Sequence, residues 1–249
     1  MTGKLRLLAL YPDQMNIYAD RGNILLLRKR CEWRGIGFEQ SVAGPGESFD
    51  PGAHDLVYIG GGQDRDQRLV AEDMRTTKRD AIAAAVEDDA VVLAVCGGYQ
   101  LLGHSYQLAG ERIAGLGIAD LETIREPGKR LIGNVAIEAE LGREGAAMTI
   151  AGFENHGGRT YLGRSATPLG RVVKGFGNNG GDGFEGVRLR NLIGTYLHGP
   201  LLPKNAALAD RLIALALARR EGAEPELAPL DDALESAAHE SARAAALRG

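Results

Sequence analysis

Val91-Val92-Leu93-Ala94-Val95-Cys96-Gly97-Gly98-Tyr99-Gln100-Leu101-Leu102 decides how the rest of the chain is read. Its first five residues are apolar, mostly β-branched and free of polar alternation, the pattern of a strand buried on both faces. A cysteine follows, then two glycines that permit a tight turn, then four residues that can propagate as a helix. Strand, turn and helix with a nucleophile on the turn is the geometry of a nucleophile elbow. Such a turn needs small neighbours, and Ala94 and Gly98 supply the space two positions to either side of Cys96. The N–H groups that open the helix favour the thiolate, which is the reactive form. A lone cysteine is more often a buried structural residue; the elbow context reverses that reading here.

Strand-like and helix-like stretches alternate on the N-terminal side of the elbow. Lys4 to Tyr11 reads as a strand, Asn16 to Arg34 as a helix, Phe38 to Val42 and Asp55 to Ile59 as strands, and Glu72 to Asp88 as a helix. Cys31 falls on the inner face of the first helix and reads as core. This alternation predicts an α/β fold with a mostly parallel central sheet and helices on both faces. After Gly110 the texture changes to short strand-like runs split by glycines: Leu121 to Arg125, Asn134 to Glu138, Met148 to Phe153, and Arg171 to Val173. They predict a β-rich, partly antiparallel second half of the same domain. Leu192 to Leu197 reads as a further strand and Asn205 to Arg220 as a final amphipathic helix. The expected domain is 4–220, and 221–249 is an Ala/Glu-rich tail, helical in part.

Composition narrows the class. Net charge is −4 over 249 residues, so no basic surface argues for nucleic acid. No apolar run approaches the roughly 18 residues of a membrane span. The Leu-rich start is broken at Tyr11-Pro12-Asp13, too early for a signal peptide. The two cysteines form no CxxC pair and no metal-spaced cluster, which suits a reducing cytoplasm and predicts no metal site.

A thiol nucleophile needs a base to take its proton and return it to the leaving group. Five histidines are available. His198 ends a late strand and precedes Gly199-Pro200, which places it at the sheet edge beside the elbow. His156, in Phe153-Glu154-Asn155-His156-Gly157-Gly158-Arg159, is its rival and reads as a structural or substrate-loop residue. His104 reads as packed on the elbow helix, and His54 and His239 as solvent-exposed. Gly60-Gly61-Gly62-Gln63 follows a strand at the edge where parallel sheets bind ligands. Those glycines make a turn, or offer N–H groups to an oxyanion together with Gly97. No GxxxxGK phosphate loop occurs. Arg130, in Gly128-Lys129-Arg130, is a solvated loop charge or a bidentate fork for a carboxylate at the rim of the site.

Val95-Cys96-Gly97-Gly98-Tyr99-Gln100-Leu101-Leu102-Gly103 resembles the nucleophile motif of class I glutamine amidotransferases, in the cobyric acid synthase-like branch. Leu10 to Asn23, Gly128 to Asn134, Gly152 to Thr160 and Gly177 to Gly180 extend the resemblance over residues 4 to 220. Together they are similar to the GatD family, the glutaminase subunits of lipid II isoglutaminyl synthase. The resemblance implies Cys96 as nucleophile, His198 as base, an oxyanion hole from Gly61, Gly62 and Gly97, and substrate binding by Arg130 and Gln100. It implies hydrolysis of L-glutamine to glutamate and ammonia through a cysteinyl thioester. The ammonia would pass, within a heterodimer, to a MurT-like Mur ligase that amidates the D-glutamate of lipid II in peptidoglycan synthesis. No cofactor is expected on this subunit; ATP and Mg²⁺ are expected on the partner. The complex would be cytoplasmic, at the inner face of the membrane. A glutaminase serving a cobalamin-type acceptor and a non-catalytic amidotransferase-like scaffold are the competing expectations.

One departure stands out. Many class I amidotransferases read His-Pro-Glu where this chain reads His198-Gly199-Pro200, so the usual third acid is absent. The carboxylate that orients His198 is expected either from the partner or from Glu154 or Asp182.

Overall fold

The computed structural model describes residues 3–15, 21–62, 64–108 and 110–248. The elements that build the central layer are β1 (Lys4–Leu10), α1 (Arg21–Trp33), β2 (Gly37–Ala43), β3 (Leu56–Ile59), α2 (Asp64–Asp73), α3 (Arg79–Glu87), β4 (Val91–Val95) and α4 (Gly97–Leu101). The β-rich half contributes β5 (Ser105–Leu108), β6 (Glu111–Ala114), β7 (Leu121–Ile124), β8 (Leu131–Ala139), β9 (Met148–His156), β10 (Arg159–Leu162), β11 (Gly170–Lys174), β12 (Phe184–Glu185), β13 (Val187–Leu189) and β14 (Leu192–Thr195). Two helices close the chain, α5 (Ala206–Glu221) and α6 (Ala233–Arg248).

The central sheet has the order β13-β14-β4-β3-β1-β2, parallel throughout except at the β13–β14 edge. Strand β4 shows why its sequence lacks alternation. Val91, Leu93 and Val95 point into a core shared with α1 and α5, through Leu27, Cys31, Leu212 and Ile213. Val92 and Ala94 point into a second core with Val70, Met74, Ile82 and Val86 of the α2–α3 side. All five are fully buried, and truncating Leu93 to Ala would cost about 2–5 kcal/mol.

Helices α2 and α3 run on through a π turn, Met74–Lys78. The helix expected from Glu72 therefore begins at Asp64, eight residues earlier. The residues Asn16 to Asp20 of the first expected helix lie outside the described residues.

The second half forms two further sheets, β10-β7-β5-β6 and β12-β11-β8-β9. In the latter, Val135, Ile137 and Ile150 join the core of the central layer, so this half packs against the first. Helix α6 lies against β8 and β9. It is anchored near its start, where Asp232 accepts from the buried Arg30 of α1 at 2.7 Å. Asp210 of α5 accepts from the same guanidinium at 2.6 Å. Among the described residues no helix is long and apolar enough to cross a membrane, and no cluster of His, Cys, Asp and Glu could hold a metal ion.

Candidate active site

Three adjacent strands deliver their next residues to one edge of the central sheet. In the parallel registers Ile59 pairs with Ala94 and Thr195 with Val95. Gly60–Gly62, Cys96 and Tyr196–His198 therefore leave the sheet side by side, at the carboxyl edge where open α/β sheets bind ligands.

Cys96 sits in a conformation that side chains seldom adopt, with φ 53° and ψ −106°. The turn is held from both sides. The Cys96 N–H donates to the Thr195 carbonyl at 2.8 Å, and the Gly98 N–H to the Gly60 carbonyl at 3.2 Å. A Cβ on Gly98 would lie 2.8 Å from both Cγ2 and the carbonyl oxygen of Ile59. No side chain fits there, so the close approach of elbow and glycine loop depends on that glycine. The following helix, α4, spans only five residues. Its macrodipole is correspondingly small, and its contribution at the sulfur is the local one of the Gly97 N–H. Gly61 is buried and Gly62 half-buried beside them. Gln63 lies outside the described residues.

His198 is 1 % exposed. Burial, reinforced by the nearby charges of His156, Lys204 and Arg130, lowers its pKa to about 4. At neutral pH the imidazole is therefore uncharged, the form a base requires. His156 behaves differently. Its ring stacks on Tyr196 at 3.6 Å with an interplanar angle of 2°. Its Nδ1 donates to the Gly158 carbonyl at 2.8 Å, and its Nε2 lies 3.6 Å from Glu154. It is locked into the wall behind the site.

Arg130 is exposed on the rim, with its guanidinium plane fixed by Asn155. Nε donates to Asn155 Oδ1 and Nη2 to the Asn155 carbonyl, both at 2.8 Å. Gln100 is buried, and its amide donates to the Tyr196 hydroxyl at 3.1 Å. Its side chain thus belongs to an interior polar network in which Tyr196 also bonds Thr160 at 2.7 Å, and Thr160 bonds Thr123 at 2.7 Å.

The two carboxylates foreseen as internal acids are engaged elsewhere. Glu154 accepts from the backbone of Phe176 at 2.7 Å and of Gly177 at 2.9 Å. Asp182 is exposed and accepts from Asn179 and from the Phe184 N–H. A third carboxylate, Glu185, was not foreseen. It is fully buried and accepts from the Tyr196 N–H at 2.7 Å. A lone Glu between Phe184 and Gly186 carries no sequence signal for burial.

The remaining histidines also depart from expectation. His104 is exposed and bridges to Asp120 at 3.1 Å, because α4 ends before reaching it. His54 is half-buried against Ser41 at 2.8 Å. His239 is half-buried, its Nδ1 2.9 Å from the Lys204 carbonyl.

An elbow cysteine, a glycine loop beside it and a buried neutral histidine on the next strand meet at one edge of the sheet, the arrangement a thiol-dependent amidotransferase needs. Residues 6–206 match the CobB/CobQ-like glutamine amidotransferase domain, and the chain belongs to that family. Two solved folds agree. PurLQS from Thermotoga maritima superposes with a TM-score of 0.53 at 21 % identity, over 87 % of this chain and 96 % of its own. A glutamine amidotransferase from the same organism gives 0.50 at 16 %, over 96 % and 90 %.

Within the family, GatD subunits match over most of their own length and cobyric acid synthases over less than a third. The chain is 40 % identical over 232 residues to the GatD subunit of lipid II isoglutaminyl synthase (glutamine-hydrolyzing) from Streptococcus pneumoniae, covering 93 % of this chain and 87 % of that one. The Staphylococcus aureus GatD is 41 % identical, over 84 % and 82 %. The cobyric acid synthase of Pelotomaculum thermopropionicum is 37 % identical, but over 59 % of this chain and only 30 % of its own length.

Proposed function

We propose that this chain is the glutaminase subunit of a lipid II isoglutaminyl synthase. The observation that carries the proposal is the strained Cys96 elbow bonded directly to the strand that delivers His198. That constellation comes with near full-length similarity to the GatD subunits.

In this reading the α-carboxylate of L-glutamine rests on Arg130, and Gln100 helps to shape the pocket from within. The neutral imidazole of His198 takes the proton of Cys96, and the sulfur adds to the side-chain amide carbon. The oxyanion that forms is met by N–H groups of Gly61, Gly62 and Gly97. His198 returns the proton to the departing nitrogen, so ammonia leaves and the thioester remains. Water, deprotonated by His198, then adds to the thioester, and collapse frees glutamate and the thiol.

Ammonia would pass to a MurT-like Mur ligase in a heterodimer. There ATP with Mg²⁺, held by that partner, would supply the activation that amidating the D-glutamate carboxyl of lipid II requires, at the cytoplasmic face of the membrane. With Glu154 bonded to the backbone of Phe176 and Gly177 and Asp182 to Asn179 and Phe184, the carboxylate that steadies the imidazolium of His198 is assigned to the partner. Ammonia release from glutamine, measured for the chain alone and with its ligase, tests this. A partner-dependent rise in kcat supports the assignment. Equal kcat in both preparations, lost when Glu154 or Asp182 is replaced, places the acid within this chain.

A further inference from the structure

The chain changes sheets between Cys96 and His198, and Glu185 sits at the change. Strand β14 pairs with β4 as far as Thr195. His198 pairs with Phe153, next to the third sheet. The amides of Tyr196 and Leu197 fall between the two ladders. The Tyr196 N–H donates to Glu185 at 2.7 Å, and the Leu197 N–H to the Thr195 hydroxyl at 3.0 Å. That hydroxyl lies 3.1 Å from both oxygens of Glu185. Thr195 also accepts the Cys96 N–H through its carbonyl at 2.8 Å. One carboxyl group therefore takes the place of a missing neighbour strand, and the bend it supports carries the nucleophile's anchor at one end and the histidine at the other.

We propose that Glu185 is a positioning residue for the Cys96–His198 pair, fixing the bend at Thr195–Leu197 through which the two are held in register. The inference rests on the assignment of those two residues to catalysis, and it adds a residue that touches neither substrate nor sulfur.

The surroundings of Glu185 favour its neutral form. Tyr99 from α4 and Glu154 from β9 are the titratable groups whose charges reach it, while Tyr196 meets it through its backbone N–H. Asp182, exposed on its own loop, is the next charge along. Among the described residues no Lys, Arg or His donates to it. Burial raises its pKa to about 8; the bonds from Tyr196 and Thr195 pull it down, and the charge of Glu154 adds to the rise. A neutral acid can accept from Tyr196 with its carbonyl oxygen and meet Thr195 with its hydroxyl. An amide at the same position can do both.

The test uses the full chain and a chloroketone analogue of glutamine that alkylates the elbow thiol. Alkylation rates of the wild type and of Glu185→Gln are compared from about pH 6 to about pH 9.5. The expected result is rescue by the amide: rates within about threefold below neutral pH, and a variant-to-wild-type ratio that rises through about pH 8 as the wild-type carboxyl ionises. Glu185→Ala should lower kcat at least about tenfold with the KM for glutamine within about twofold, because a small misplacement of reacting groups is costly. A flat ratio across the pH range, or wild-type kcat in a folded Glu185→Ala, would overturn the proposal. Should the alanine variant fail to fold, the ratio decides alone. A wild-type chain that is not labelled at all would remove the glutaminase reading itself, a result distinct from a flat ratio.

Discussion

Phe153 and His198 exchange both of their backbone hydrogen bonds, at 3.1 and 3.0 Å. Their rings also meet edge to face, with centroids 5.7 Å apart. Strand β9 thus holds the histidine through Phe153, and two residues later it holds Arg130 through Asn155. The base and the proposed carboxylate anchor hang from one strand.

Replacing Phe153 by Ala leaves both backbone bonds and removes the wall against which the imidazole rests. The expected outcome is a fall in kcat of about tenfold with little change in KM, the pattern of a lost orientation. Steady-state glutamine hydrolysis measures both constants.

Arg130→Ala should weaken transition-state binding of glutamine by about 2–4 kcal/mol, the cost of removing one partner of a charged pair. Lys129→Ala, which keeps the backbone carbonyl that Arg159 uses, should change kcat/KM by less than about 0.5 kcal/mol. Asn155→Ala should fall between them, since it frees the guanidinium plane without deleting the charge. Equal, unchanged kcat/KM in all three variants would remove Arg130 from the site.

Cys96 stores strain at φ 53° and ψ −106°. Such a conformation costs on the order of 1–3 kcal/mol for a residue with a side chain. Glycine adopts it freely but gives up about 0.5–1 kcal/mol to the unfolded chain. Cys96→Gly should therefore be inactive and more stable by about 1 kcal/mol, with a Tm about 2–4 °C above wild type. Scanning calorimetry beside a glutaminase assay reads the two effects together.

Two buried groups shape stability against pH in opposite directions. His198 falls from 6.5 to about 4 on folding, so its share of stability is complete above pH 6.5 and is lost as pH falls through 4. Glu185 rises from 4.5 to about 8, so its share is complete below pH 4.5 and is lost as pH rises through 8. From pH 4.5 to 6.5 the two slopes oppose each other. Above that window the Glu185 slope stands alone and removes on the order of 2 kcal/mol between about pH 6.5 and about pH 8. Glu185→Gln should abolish that alkaline loss, which urea titrations at the two pH values would measure. The same decline in variant and wild type would show that Glu185 is ionised in the folded chain at neutral pH.

The centre of this fold was legible because its signals are local. The continuous apolar run of β4 marks a strand buried on both faces, and Cys-Gly-Gly after it marks a turn that only small residues permit. Strands β5, β6, β10, β12 and β13 were not foreseen. They are two to four residues long, and their pairing is set by the sheets they join rather than by any periodicity of their own. The start of α2 at Asp64 was hidden for a related reason: Asp64 to Asp73 is highly polar, and the π turn shifts the apolar face midway. At the site, the residues around Cys96 mark the elbow by themselves, whereas His198 and the glycine loop take their roles from the resemblance to the amidotransferase family. Glu185, thirteen residues before His198, has no such signal, because its burial depends on the bend at Thr195–Leu197 between two sheets, which no local pattern announces.

In the proposed reaction Cys96 forms a covalent intermediate with glutamine. The most direct measurement is the intact mass and peptide map of the chain after reaction with a glutamine-derived electrophile, alongside ammonia release from glutamine by wild type and Cys96→Ala in the presence of the ligase partner. The expected result is a single adduct on the peptide containing Cys96, no adduct in Cys96→Ala, and no ammonia release by that variant. Ammonia release that survives in Cys96→Ala, or an adduct on Cys31 instead, would contradict it.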